Sequence, residues 1–416
     1  MRGSTIKAAT LRSGTLSVAS NWSLTSADNG ELWISYPGET AVIDGGGTGF
    51  ITLSSAKNIT FEGLTFQNTA GTDLYGSSYS PAGLYLGNSS NITIRWNSFL
   101  NCKQVCITAD GQSNNNIVDS NTFDGQSPGN HPGDVNSFYA VIMFWYGSSN
   151  NQITHNLIQN AQGGGIIFGT GLADPPANNN VIDRNILKNV CNNVFDCGAL
   201  YIYDASHSIT GNQITNNIVD GNGGANYLTN YTNAIYVDDL MSNLTVTGNL
   251  CRTCGMNAFH IHAGDHVSIK NNIFDLSSSG TLLGLYDKSP IADFGMAGNL
   301  VQHNIIYFAG AAPGSLWSIN INAGDSLPTL SNNLYYSATG APIPNNGVVD
   351  TNPFYANPLF ANAGAGDYSM PSNSPAYSLI QFQPLATDQG PVPYAPPGSP
   401  IPSPTVPVAP SALRVQ

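Results

Sequence analysis

Apolar residues along most of this chain alternate with polar ones, in short runs broken by Asn, Gly, Ser and Thr. Such alternation predicts half-buried strands rather than helices, because only a strand turns successive side chains to opposite faces. One phrase recurs: a small polar turn, an alternating apolar run, an Asn, then a second apolar pair. It reads NITIRWNSF at 91–99, NIVDSNTF at 116–123, QITHNLI at 152–158, VIDRNIL at 181–187, QITNNIV at 213–219, LTVTGNLC at 244–251, VSIKNNIF at 267–274 and LVQHNII at 300–306. The Asn recurs at intervals of 23 to 35 residues, too uneven for propeller blades but suited to a coil whose turns carry loops of different length. Strands with one Asn in register per turn predict an all-β parallel solenoid with a buried apolar column and an asparagine ladder.

A second alternating run precedes the Asn phrase in each coil, as in ALYIYD at 199–204, AIYVDD at 234–239, AFHIHAGD at 258–265 and LLGLYD at 282–287. Alternation sends Leu200, Ile202, Ile235, Val237, Phe259, Ile261, Leu283 and Leu285 inward. Tyr203, Asp238, His262 and Tyr286 then form one outward file, with Tyr201, Tyr236 and His260 beside it and Asp204 and Asp239 at the bend. A solenoid surface has no need of imidazoles and carboxylates in register, so this cluster is the candidate site. Insertions at 125–138, 169–180 and 220–233 border it, and Trp145, Tyr146, Tyr227 and Tyr231 are aromatic faces that could hold sugar rings.

The repeat resembles that of right-handed parallel β-helix proteins, the pectate-lyase-like superfamily, over roughly residues 30–340. Residues 20–47 resemble the entry segment of such helices and residues 350–384 their closing segment, so one domain is expected over 1–389. The Pro-rich stretch 390–416 predicts an extended tail. A narrower resemblance, to β-helical glycoside hydrolases of fucosidase- and xylanase-like type, rests on Tyr236, Asp238 and Asp239 followed one coil later by His262, Gly264, Asp265 and His266. Ala263, and the absence of an Arg before Asp265, depart from that pattern.

Composition narrows the chemistry. Lys and Arg total 12 and the net charge is −13, which argues against nucleic acid and disfavours a polyanionic partner. No apolar run is long enough to span a membrane. The six cysteines fall in pairs, Cys102 with Cys106, Cys191 with Cys197 and Cys251 with Cys254, a spacing that suits local disulfides in a secreted or periplasmic protein. CRTC at 251–254 also fits a redox or half-zinc motif, though no second C-x-x-C accompanies it.

Glycoside hydrolysis needs two carboxyl groups, one to protonate the leaving oxygen and one to attack or to activate water. The expected set is Asp238 or Asp239 with Asp204 or Asp265, and no cofactor. His260, His262, Tyr201, Tyr203, Tyr236, Tyr286 and Trp145 are the expected substrate contacts. A polysaccharide lyase or uronate epimerase is the alternative. With no Lys or Arg in the outward file it would lean on Ca²⁺ held by aspartates. His260, His262 and Asp238 also suit a metal. A non-catalytic, tailspike-like or adhesin-like glycan-binding solenoid would use the aromatics without the paired acids.

Overall fold

The structure, a computed structural model, describes residues 8–11, 14–17, 22–36, 39–49, 51–69, 83–126, 140–224, 231–277, 280–287, 292, 294–310, 315–340, 342–343 and 348–394. These form a right-handed parallel β-helix of three sheets, with 12, 13 and 11 strands. Each coil gives one strand to each sheet, so strands three apart in order are neighbours. The first sheet runs from Ala8–Leu11 to Thr329–Ser331, the second from Gly14–Ser17 to Phe354–Tyr355, and the third from Trp22–Leu24 to Trp317–Asn320.

The alternating pattern dictates what fills the axis. All eight residues assigned inward in the third sheet are at most 1 % exposed, and Phe66, Phe99 and Phe123 stack at 4.8 and 4.7 Å between centroids. The Asn phrase makes the turn from first to second sheet. The residue before the ladder Asn takes a left-handed conformation, as in Trp96, His155, Arg184 and Asn216, which frees the next amide to point inward. Each ladder amide then donates to the next: Asn156 to Asn185 at 2.9 Å, and Asn185 to Asn217 and Asn217 to Asn249 at 3.0 Å. These asparagines are structural. Their buried amides would be costly if unpaired, and the stack pairs them.

The ends add detail to the repeat. The repeat begins by Ala8, so the stretch expected to open the helix is itself coil; it lacks the Asn phrase, and Trp22 and Trp33, 5.8 Å apart, pack against the core there instead. At the other end, residues 356–382 fold back over the second sheet, where Ala376, Ile380 and Phe382 cover Leu250, Ile273, Ile305 and Leu334.

The chain then runs back along the turns. Gln383 exchanges two hydrogen bonds with Asn271, Asp388 meets Arg184 at 2.8 Å, and the Val392 carbonyl accepts from the Trp96 indole at 3.1 Å. Tyr394 packs edge-on to Trp96. Residues 390–394, the first of the expected extended tail, therefore lie along the helix as the end of a strap, and residues 395–416 lie outside the described residues. All three cysteine pairs are disulfides. Among the described residues no helix is long and apolar enough to cross a membrane.

Candidate active site

Strands Cys197–Asp204, Thr232–Asp238, Asn257–His262 and Thr281–Tyr286 lie side by side in the third sheet. Their register puts Tyr203 beside Asp238, Tyr201 beside Tyr236, Tyr236 beside His260, and His262 beside Tyr286, the file expected from alternation. A cleft of about 580 Å³ opens over this file. Its walls include Asp196, Asp238, Asp239, His260, His262, Tyr231, Tyr236 and Tyr286, with Phe195 at one end and Ser318 and Asn320 at the other.

Asp238 is the most constrained of the acids. It accepts from the Tyr201 hydroxyl, from His262 Nδ1 at 2.5 Å and from the Asp239 backbone N–H at 2.9 Å. Three donors converging on one carboxyl complement its anion and fix its direction. Asp239 follows in a left-handed conformation, φ 40°, which turns its carboxyl back to within 3.8 Å of the same His262 nitrogen. Burial, then the neighbouring charge of Asp238, pushes the Asp239 carboxyl up to about 6; His262 opposes the shift and Asp196 adds to it. Burial by itself would lower the His262 imidazole, but the hydrogen bond and charge of Asp238, then Asp239 and Asp196, raise it instead. His260 is fully enclosed, and burial drives it down to about 3. It is therefore neutral, with Nε2 3.1 Å from the Tyr231 hydroxyl and Nδ1 without a partner.

Sequence reasoning missed Asp196 and Phe195. They sit between strands in the short loop closed by Cys191–Cys197, where no periodicity marks them. The six-residue spacing of that pair was the available signal, since such a loop can be held rigidly at a sheet edge. Burial first, then the charge of Asp238, lifts Asp196 to about 6, with Tyr236 and His262 acting against it.

Other expected residues go elsewhere. Asp204 is wholly buried and accepts from the backbone of Ser206, Ser208 and Ile209 and from the Ser206 hydroxyl, so it holds the turn and does not face the cleft. Asp265 lies past the bend after Ala263, outside the cleft lining, 3.2 Å from His207 and 3.4 Å from His266. Tyr201 is buried and reaches the site only through Asp238. Tyr203 and Trp145 meet edge-on at 5.1 Å and pack with Tyr146 in a neighbouring cluster. Tyr227 lies outside the described residues.

Among the described residues, the atoms that could share a cation are one each from Asp238, Asp239 and His262, all within 4.8 Å of one another. This differs from the expected trio, because His260 is taken up by Tyr231 and Tyr236. No Lys or Arg is among the described residues lining the cleft. Arg184 pairs with Asp183 and Asp388, Arg252 pairs with Asp220, and Lys188 and Lys270 lie in the second and first sheets; Lys288 is outside the described residues.

Comparison with known proteins agrees with this architecture. The family described as right handed beta helix region matches residues 39–143. A search of curated proteins found no match. Among solved structures, a PL6 family alginate lyase is similar at 13 % identity and a TM-score of 0.55, over 94 % of this chain and 57 % of that one; the chain thus spans little more than half of that protein. A mannuronic acid specific polysaccharide family 6 lyase from human gut microbiota is similar at 14 % identity and a TM-score of 0.52, over 84 % of this chain and 86 % of that one. At such identities the likeness is one of fold.

Proposed function

We propose that this protein is a glycoside hydrolase acting on a poly- or oligosaccharide in the cleft of the third sheet. The observation that carries the reading is the convergence of three carboxyls, Asp196, Asp238 and Asp239, in one cleft, with Asp238 aimed by three donors. Asp239, pushed up to about 6, holds a proton in mildly acidic solution and delivers it to the glycosidic oxygen. Asp238 attacks the anomeric carbon or orients the water that does. Burial and the charge of Asp238 keep the proton on Asp239, and Asp196 accepts sugar hydroxyls. The three disulfides suit a site of action in an oxidising compartment outside the cytosol.

Asp239→Asn is expected to lose about 10²- to 10⁴-fold in kcat on a natural glycan yet keep turnover of an aryl glycoside whose leaving group needs no proton. Asp238→Asn should lose both. Equal loss on both substrates for Asp239→Asn, or activity kept by both variants, rejects the assignment.

A lyase is the second reading, favoured by the ligand atoms of Asp238, Asp239 and His262 gathered within 4.8 Å and by the lyases of similar fold. A cation there would neutralise a uronate carboxylate before proton removal. Product analysis separates the two: hydrolysis leaves a plain reducing end, elimination an unsaturated sugar.

A further inference from the structure

The cleft crosses four neighbouring strands of the third sheet, from Thr232–Asp238 to Trp317–Asn320, with the loop holding Phe195 and Asp196 at its first end. Three strand intervals make a length of about 14 Å along the helix axis. That exceeds a single sugar ring. At one end Phe195 is 48 % exposed and lies roughly parallel to Tyr231, with centroids 6.3 Å apart, so it presents an open apolar face. At the other end the polar lining is Ser318 and Asn320, which carry no charge.

The charged groups between them are Asp196, Asp238 and Asp239, with His262 as the only group among the described lining residues able to become a cation. His262 is already matched to Asp238 and Asp239. A bound uronate would bring one carboxylate per residue into a cleft whose described lining offers no free positive partner, and an unpaired charge in a half-buried site is strongly disfavoured. An uncharged sugar meets the same lining with hydroxyls. Carboxylate oxygens accept from them.

We propose that the cleft takes a stretch of an uncharged oligosaccharide laid along the helix axis, one pyranose face seated on Phe195, and that it excludes polyuronates. This rests on the reading of the cleft as a glycan-cleaving site and adds its substrate class.

Binding to the Asp239→Asn protein, which keeps the Asp238–His262 pair, measured by calorimetry, tests it apart from turnover. The probes are oligomers of glucose, xylose, galactose and fucose, set against oligomannuronate and oligogalacturonate. At least one uncharged oligomer should bind, with an affinity that Phe195→Ala lowers at least about tenfold, the worth of one aromatic contact, and that Phe195→Tyr restores. Tighter binding of either uronate than of every uncharged oligomer overturns the proposal. So does failure of all four uncharged oligomers to bind at millimolar concentration, or binding indifferent to Phe195→Ala. Uncharged binding without turnover by the parent enzyme would instead count against the hydrolase reading and leave the substrate class standing.

Discussion

Two aspartates one coil apart show how far a side chain's role depends on its local backbone. Asp204 and Asp239 follow equivalent strands, and alternation alone makes them look paired. Asp204 turns its carboxyl into the following turn, where three backbone N–H groups bind it, whereas Asp239 takes a left-handed conformation and turns its carboxyl toward His262. Asp204→Ala is therefore expected to cost roughly 1–3 kcal/mol of stability, visible as a lower melting temperature, with kcat of the folded protein unchanged. Titration supplies a second test. Asp196 and Asp239 are both raised to about 6 from 3.8, so the folded chain holds their protons more tightly than the unfolded chain does. Their contribution to stability is present below 3.8 and is lost as pH rises to about 6. His260, lowered from 6.5 to about 3, works in the opposite direction, losing its contribution as pH falls through that window. Asp196→Asn should therefore gain stability relative to the parent between pH 4 and 7, and kcat/KM of the parent should decline on the alkaline side with an apparent pKa near 6. That value belongs to the coupled carboxyls together. An alkaline limb far above 6 would remove Asp239 as the proton donor.

Strands and loops carried different amounts of their structure in the sequence. The strand faces were legible because burial on one side leaves a period of two, and the ladder was legible because each amide must occupy the same place in every coil. Register followed from both, and with it the file of Tyr203, Asp238, His262 and Tyr286. The loop at 191–197 has no period, so Phe195 and Asp196 stayed hidden although they form one wall of the cleft. Trp145 was misleading for a related reason: its aromatic ring is as suitable for a sugar as for packing, and only the neighbouring Tyr203 shows that packing claims it. The loop's dependence on its crosslink is open to experiment. Replacing Cys191 and Cys197 together with Ser should raise KM at least about tenfold while leaving the far-ultraviolet circular dichroism of the coils unchanged. The same replacement of Cys102 and Cys106, which lie in earlier coils, should leave KM alone. Equal effects from both pairs would mean that the crosslinks act on the fold as a whole rather than on the cleft wall.

At the scale of the molecule, stacked coils touch only their neighbours, and stability is close to a sum over coils and interfaces. The segment at 383–394 breaks that rule by touching coils near Asn271, Arg184, Ser120 and Trp96 in turn. Removing everything after Phe382 is expected to lower the melting temperature and broaden the transition, as coils formerly tied together melt with less cooperation; an unchanged, equally sharp transition would show that the strap adds nothing. The sequence hid the end of this segment, because the Pro and Gly from residue 390 onward, read as marks of an extended tail, also suit an extended chain lying along the coils. Its position has a consequence for biosynthesis. Synthesis runs from the N terminus, and coils with only local contacts can form as they leave the ribosome. The bond between Trp96 and Val392 joins residues 296 apart in sequence, so the seam closes last, after every coil it crosses has already been made.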